Sequence, residues 1–234
     1  MPNAVITGAT QGIGKAVTEK LLQEGFSIAV CARTRENLNE VVREWQPKFP
    51  DREILSLTAD LSNVNEVKSF ATSVMAKFNS VDILVNNAGL FFPGQLMEEP
   101  EGHLETLMAT NLYSAYHLTR QLVPVMKQKQ SGHIFNMCSV ASLKAYPNGG
   151  AYSITKYALM GLSENLRYEL RDDNIRVTSI IPGATWTRSW AASGLPEERF
   201  MKAEDVANML WAAYSLSQQA DVETLIMRPI KGDI

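Results

Sequence analysis

Only two cysteines occur in 234 residues, too few for a disulfide framework. Cys31 and Cys138 both fall in apolar stretches, where free cysteine behaves as a small hydrophobe, so no disulfide and a reducing compartment are expected. No apolar run reaches the ~18 residues of a membrane-spanning helix, and no membrane association is expected. The opening Met-Pro-Asn leads straight into a strand pattern without the basic, apolar and small-residue order of a signal peptide, which sets the expectation of a cytoplasmic protein. Positive charge is not in excess either: 22 basic against 25 acidic residues give −3, and no Lys/Arg run is long enough to track a phosphate backbone. Nucleic acid is therefore not an expected partner. With three histidines and no clustered ligand set, no metal site is expected. Repeats and linkers rich in Gly, Pro or Ser are lacking, so the chain reads as one domain.

The sequence is built instead from short β-branched runs alternating with longer amphipathic segments. Strands are expected at 4–7, 28–32, 54–58, 83–86, 133–138, 177–181 and 224–227, and helices at 15–24, 38–45, 64–78, 105–127, 151–171 and 203–217. Ser62-Asn63 signals the start of the third helix, with Glu66 in its first turn, and Pro47 and Pro50 are expected to close the second. The alternation predicts an α/β fold: one doubly wound parallel sheet of about seven strands with helices on both faces, in the Rossmann manner. The least regular stretch, 184–202, carries Trp186, Trp190, Phe200 and a Gly194-Leu195-Pro196 break, and reads as a loop or lid over a site.

Directly after the first strand comes Thr7-Gly8-Ala9-Thr10-Gln11-Gly12-Ile13-Gly14 and then a helix. Glycines at 8, 12 and 14 allow a tight turn that brings backbone N–H groups and the positive end of a helix dipole against a diphosphate. A Gly-rich turn with no ligand is the plainer alternative, but the strand and helix on either side are the context that a dinucleotide site requires. The second strand ends Val30-Cys31-Ala32-Arg33, without the acid that usually binds a ribose 2′-hydroxyl. Arg33 offers its planar fork to a 2′-phosphate, which points to NADP(H), although a solvated arginine would look the same in sequence.

Of seven tyrosines, only Tyr152 has a lysine one helical turn later, Lys156. That spacing puts both side chains on one face, where an ammonium can draw the phenol, normally near 10, toward the working range of an acid–base group. Such a pair arises often by chance and gains weight from Ser139, which follows the fifth strand at the edge where parallel sheets place ligands. A hydroxyl there can donate to a carbonyl oxygen as charge develops, or merely cap a turn. Cys138 beside it invites a nucleophile reading, but no histidine stands in a partner position.

Taken together these residues resemble the short-chain dehydrogenase/reductase family. The likeness spans the chain: the glycine turn, Asp60-Leu61, Asn86-Asn87-Ala88-Gly89, Asn111, Ser139, Tyr152 with Lys156, and Pro182-Gly183 with Thr187. It implies hydride transfer between a nicotinamide and a carbonyl or alcohol carbon, with Tyr152 as acid or base, Lys156 on the nicotinamide ribose, Ser139 on the substrate oxygen and Asn111 supporting a proton-relay water. It also implies that Thr10, Gln11 and Ile13 share in the phosphate turn, that Asp60 and Leu61 meet adenine, Asn87, Ala88 and Gly89 the ribose side, and Pro182, Gly183, Thr185 and Thr187 the nicotinamide carboxamide and diphosphate. Homodimers or homotetramers through the Asn111-bearing helix and the next one are implied as well. The ending after the seventh strand lacks the Gly-rich tail of many members, and this region looks most like a sepiapterin-reductase-like subgroup.

Leu90, Phe91, Phe92, Val140, Leu143, Tyr146, Trp186 and Trp190 form an apolar set suited to a small carbonyl or alcohol substrate, or to core and lid packing. Three functions are left open: an NADPH-dependent carbonyl reductase, a reductase of a pterin side-chain carbonyl, and a nucleotide-responsive binding protein without turnover.

Overall fold

The computed structural model describes residues 1–187, 190 and 193–233; part of the expected 184–202 lid lies outside the described residues. Seven parallel strands form one sheet in the order β3-β2-β1-β4-β5-β6-β7. These are β1 (Asn3–Thr7), β2 (Ser27–Ala32), β3 (Ile54–Thr58), β4 (Ile83–Asn86), β5 (Gly132–Met137), β6 (Ile175–Pro182) and β7 (Thr224–Met227). The helices are α1 (Gly12–Gln23), α2 (Arg35–Lys48), α3 (Val64–Lys77), α4 (His103–Met108), α5 (Ser114–Lys129), α6 (Gly150–Leu170) and α7 (Ala203–Tyr214). None of the described helices is long and apolar enough to cross a membrane.

Successive strand side chains point to opposite faces, so each central strand feeds two cores. Ala4 and Ile6 of β1, Ile28 and Val30 of β2 and Ile83 and Val85 of β4 meet α1, α2 and α7 on one face. Val5, Ala29 and Leu84, one residue out of phase, meet α3 and α5 on the other. Each fully buried Ile or Leu contributes roughly 2 kcal/mol, which is why these strands read as continuous apolar runs. The expected fold is the observed one.

Two elements differ from expectation. The second helix runs through Pro47 to Lys48, because Trp45 is fully buried and donates to Glu19 (3.0 Å), holding the last turn in place although Pro47 has no N–H. The expected helix over 105–127 is instead α4, a π-helical turn over Ala109–Tyr113, and α5. The wider turn coincides with the insertion of Asn111, 1% exposed, between this helix and the loop after β4.

Strand order reverses about β1 and β4, so their carboxyl ends open the crevice where such sheets bind ligands. A buried polar ladder sets the rest of the site against it. The Asn86 amide donates to Asn136 Oδ1 (2.8 Å), and the Asn136 amide to Ser163 Oγ on α6 (2.8 Å).

Candidate active site

The turn after β1 is shaped for close backbone approach. Gly8 has φ +66°, a region side chains avoid, and any Cβ at Gly14 would overlap the Gly8 carbonyl oxygen. Asn87 locks the turn from β4's end: its side-chain amide donates to the carbonyls of Thr7 (2.9 Å) and Gly8 (3.1 Å), while Thr7 Oγ1 accepts from the N–H groups of Asn87 and Ala88 (3.0 Å each). Gln11 enters α1 in extended backbone without a side-chain cap, and the first turn holds no acid. The N–H groups of that turn and the helix dipole are thus presented to an anion, and the cradle fits a diphosphate. Thr10 and Gln11 lie in the turn, Ile13 packs down onto the core, and Thr187 lies across from Gly12, where an added Cβ would meet its methyl at 2.9 Å.

Arg33 and Asp60 lie at the far end of the crevice, beyond β2 and β3. Arg33 is exposed, and Leu61 is buried. Asp60 is held below the usual carboxylate range first by the Ser62 N–H on Oδ1 (2.9 Å), then by the Ser62 hydroxyl, with a smaller pull from the Arg33 charge. Asp60 therefore organises its own turn, a role its position in sequence did not announce.

On the other side of the crevice, Ser139 leaves β5 as the cap of a short turn. Its Oγ accepts from Ala141 N–H (3.2 Å) as a turn cap. The same hydroxyl lies against the Tyr152 phenol and pulls its pKa down. Burial outweighs that pull and pushes Tyr152 up to about 12. Phe91 packs edge-on over its ring, with centroids 4.9 Å apart.

Lys156 is 4% exposed, with Nζ 5.6 Å from the centre of the Tyr152 ring. The expected draw of its ammonium on the phenol is absent from the influences on Tyr152; burial brings Lys156 itself down to about 8. Nζ instead donates to the Met137 carbonyl at the end of β5 (2.7 Å), an anchor that no side-chain pattern could reveal.

Asn111 accepts from Leu90 N–H (2.7 Å) and donates to Leu90 O and Thr155 Oγ1 (3.0 Å each). The Asn111 side chain thus fastens the loop after β4 to α6. Gly89 fits between Asn111 and Lys156, where an added Cβ would come within 3.4 Å of Asn111 Oδ1 and 3.6 Å of Lys156 Nζ. Pro182 pairs with Met227, Gly183 N–H donates to Met227 O (2.7 Å), and the buried Thr185 donates to Gly183 O (3.1 Å). Cys138 is buried and its thiol is pushed up by burial, unlike an activated nucleophile.

Beside this centre lies a cavity of about 570 Å³ bordered by Gly94, Leu96, Tyr146, Gly149, Ser153 and Tyr157. Of the expected pocket residues only Tyr146 borders it. Trp186 and Trp190 pack on Phe200 (5.1 and 5.2 Å), and Phe92 on His103 (5.0 Å).

The family model for short chain dehydrogenases matches residues 2–197. The chain belongs to that family. Among other short chain dehydrogenases it is 32% identical to a sepiapterin reductase of Chlorobaculum tepidum, across 98% of this chain and 97% of that protein. Its fold superposes with a TM-score of 0.90 on an alcohol dehydrogenase of the archaeon Thermococcus sibiricus complexed with 5-hydroxy-NADP (28% identity, 98% and 97% of the two chains). The L-sorbose reductase of Gluconobacter frateurii, complexed with NADPH and L-sorbose, matches equally well (TM-score 0.90, 29% identity, 97% and 95%). The chain is thus an oxidoreductase by family, with structural relatives that bind NADP or NADPH.

Proposed function

We propose that the chain is an NADP(H)-dependent carbonyl reductase with Tyr152 as its acid. The observation that carries this reading is the meeting of Ser139 and Tyr152, with Lys156 one turn away, at the same sheet edge as the glycine cradle. The backbone of Gly8–Gly14 would hold the diphosphate and Arg33 the 2′-phosphate. Asp60 and Leu61 would border adenine, Asn87, Ala88 and Gly89 the ribose, and Pro182, Gly183, Thr185 and Thr187 the nicotinamide end. When bound, NADPH supplies the hydride.

The protein's own task is to manage the proton. A phenol near 12 stays protonated at neutral pH, the form needed to give a proton to the oxygen of a carbonyl undergoing reduction. The Ser139 hydroxyl, whose oxygen accepts from Ala141, would turn its one proton from the Tyr152 phenol to the substrate oxygen as negative charge grows there. Lys156, anchored on Met137 with its pKa brought to about 8, holds an exchangeable proton 5.6 Å from the centre of the Tyr152 ring. Oxidation would run the same step in reverse, with Tyr152 ionised as the base, a form that burial opposes.

The relative named above favours one narrower substrate, a pterin with a side-chain carbonyl. We also propose that the single domain uses 184–202 as a substrate loop. Assembly as a homodimer or homotetramer through α5 and α6, where Tyr116 and Tyr157 stand exposed beside Tyr113 of the π turn, belongs to the same reading.

A panel of ketones, aldehydes, diketones and sepiapterin, followed by loss of reduced-nicotinamide absorbance, tests the proposal. It predicts turnover with NADPH at least ~10-fold above NADH, the size of one good charged contact. Sepiapterin turning over far faster than the diketones would select the pterin reading. No turnover of any carbonyl, or a preference for NADH, would overturn the assignment.

A further inference from the structure

The backbone that delivers Tyr152 into the site takes an unusual path. Asn148, just before α6, and Gly150, its first residue, both adopt left-handed φ, +59° and +31°, and Gly149 gives that helix no side-chain cap. Sparsely populated backbone of this kind persists only where its surroundings hold it. Here the holding group is a carboxylate from a different part of the chain. Both oxygens of Glu99, in the loop between β4 and α4, accept from Ala151 N–H, at 2.9 and 3.2 Å. The approach is so close that a Cβ at Gly150 would overlap Glu99 Oε1 and lie 2.7 Å from Gly94 O. The same loop is zipped to the helix entry a second time, by Gly94 N–H on Asn148 O (3.1 Å) in a parallel bridge between Gly94 and Gly149. Glu99 itself is set by its N–H on Gln95 O (3.1 Å).

We infer that Glu99 is a positioning residue for Tyr152. Its carboxylate supplies the missing cap of α6 one residue before the phenol, offsets the helix dipole there, and makes the left-handed entry the stable one. Glu99 does not figure among the influences on the Tyr152 pKa, so its action is on where the phenol lies rather than on its acidity. The inference rests on the reading of Tyr152 as the acid, and adds a residue that is no part of the motif.

Glu99→Ala and Glu99→Gln, each in the full chain, test it in two ways. Without nucleotide, Glu99→Ala is expected to speed amide exchange at 150–153 about ten-fold while leaving exchange in α5 and β5 unchanged. With NADPH and the best carbonyl of the panel, it is expected to lower kcat about ten-fold at unaltered NADPH affinity and unaltered pH profile, as misplacement of a reacting group does. Glu99→Gln keeps an oxygen for Ala151 N–H and should recover most of both losses. Unchanged exchange at 150–153, exchange that rises equally throughout the protein, or a Gln variant no better than Ala would overturn the inference. An inactive wild-type protein would instead sink the proposed function, and the exchange measurement would still judge Glu99.

Discussion

At the scale of single residues, environment rather than identity decides what each ionisable group does. Tyr152 and Lys156 are shifted in opposite senses by the same cause, since burial disfavours the charged form of each. For Lys156, brought from 10.5 to about 8, the unfolded chain binds the proton more tightly between those values, so folding stability rises with pH across that window. Lys156→Met should flatten the rise, as read from urea unfolding at a series of pH values; an unchanged slope would show that Lys156 is not the group responsible. Arg33→Ala should weaken NADPH by about 10-fold or more and leave NADH nearly untouched in fluorescence titrations, while equal losses would deny it the 2′-phosphate. Tyr152, Lys156 and Ser139 were legible in sequence because each carries chemistry in its side chain at a diagnostic spacing. The partner that fixes Lys156 was not, because it is the backbone carbonyl of Met137, and every residue has one. What outweighs any phenol–ammonium coupling was hidden for a related reason: spacing puts two groups on one face and says nothing of the solvent each has lost.

At the scale of elements, periodicity located the strands to within a residue or two, since buried parallel strands are unbroken apolar runs. It missed the π turn over Ala109–Tyr113 because apolar spacing hardly changes when one residue is squeezed into a helix. Asn111 is what that turn presents, buried and with three hydrogen bonds to Leu90 and Thr155. Asn111→Ala should lower the unfolding free energy by about 2–4 kcal/mol, since partners are left unsatisfied as well as bonds lost. A chemical denaturation midpoint equal to that of the unaltered chain would show that these bonds carry no net stability. Pro47 was misread as a stop because the competing term, complete burial of Trp45, lies in tertiary packing.

For the whole molecule, strand order places everything else. Because the order reverses about β1 and β4, the loops after β1, β4, β5 and β6 share one edge, and residues far apart in sequence face one crevice. That much followed from alternating strands and helices. The ties between those loops did not: Asn87 to the glycine turn, Asn111 to α6 and Glu99 to the start of α6 are long-range and use ordinary polar residues. Light scattering should find a dimer or tetramer if the exposed tyrosines of α5 and α6 form an interface, and a monomer at micromolar concentration would remove that part of the account.

The claim on which the rest depends is that one phenol, held beside a bound nucleotide, supplies the proton for carbonyl reduction. Tyr152→Phe removes only that hydroxyl, so NADPH affinity and carbonyl reduction should be measured on the same preparation. The account predicts unchanged NADPH binding with turnover reduced by at least ~100-fold, the scale of a lost general acid. Turnover close to that of the unaltered protein would contradict it.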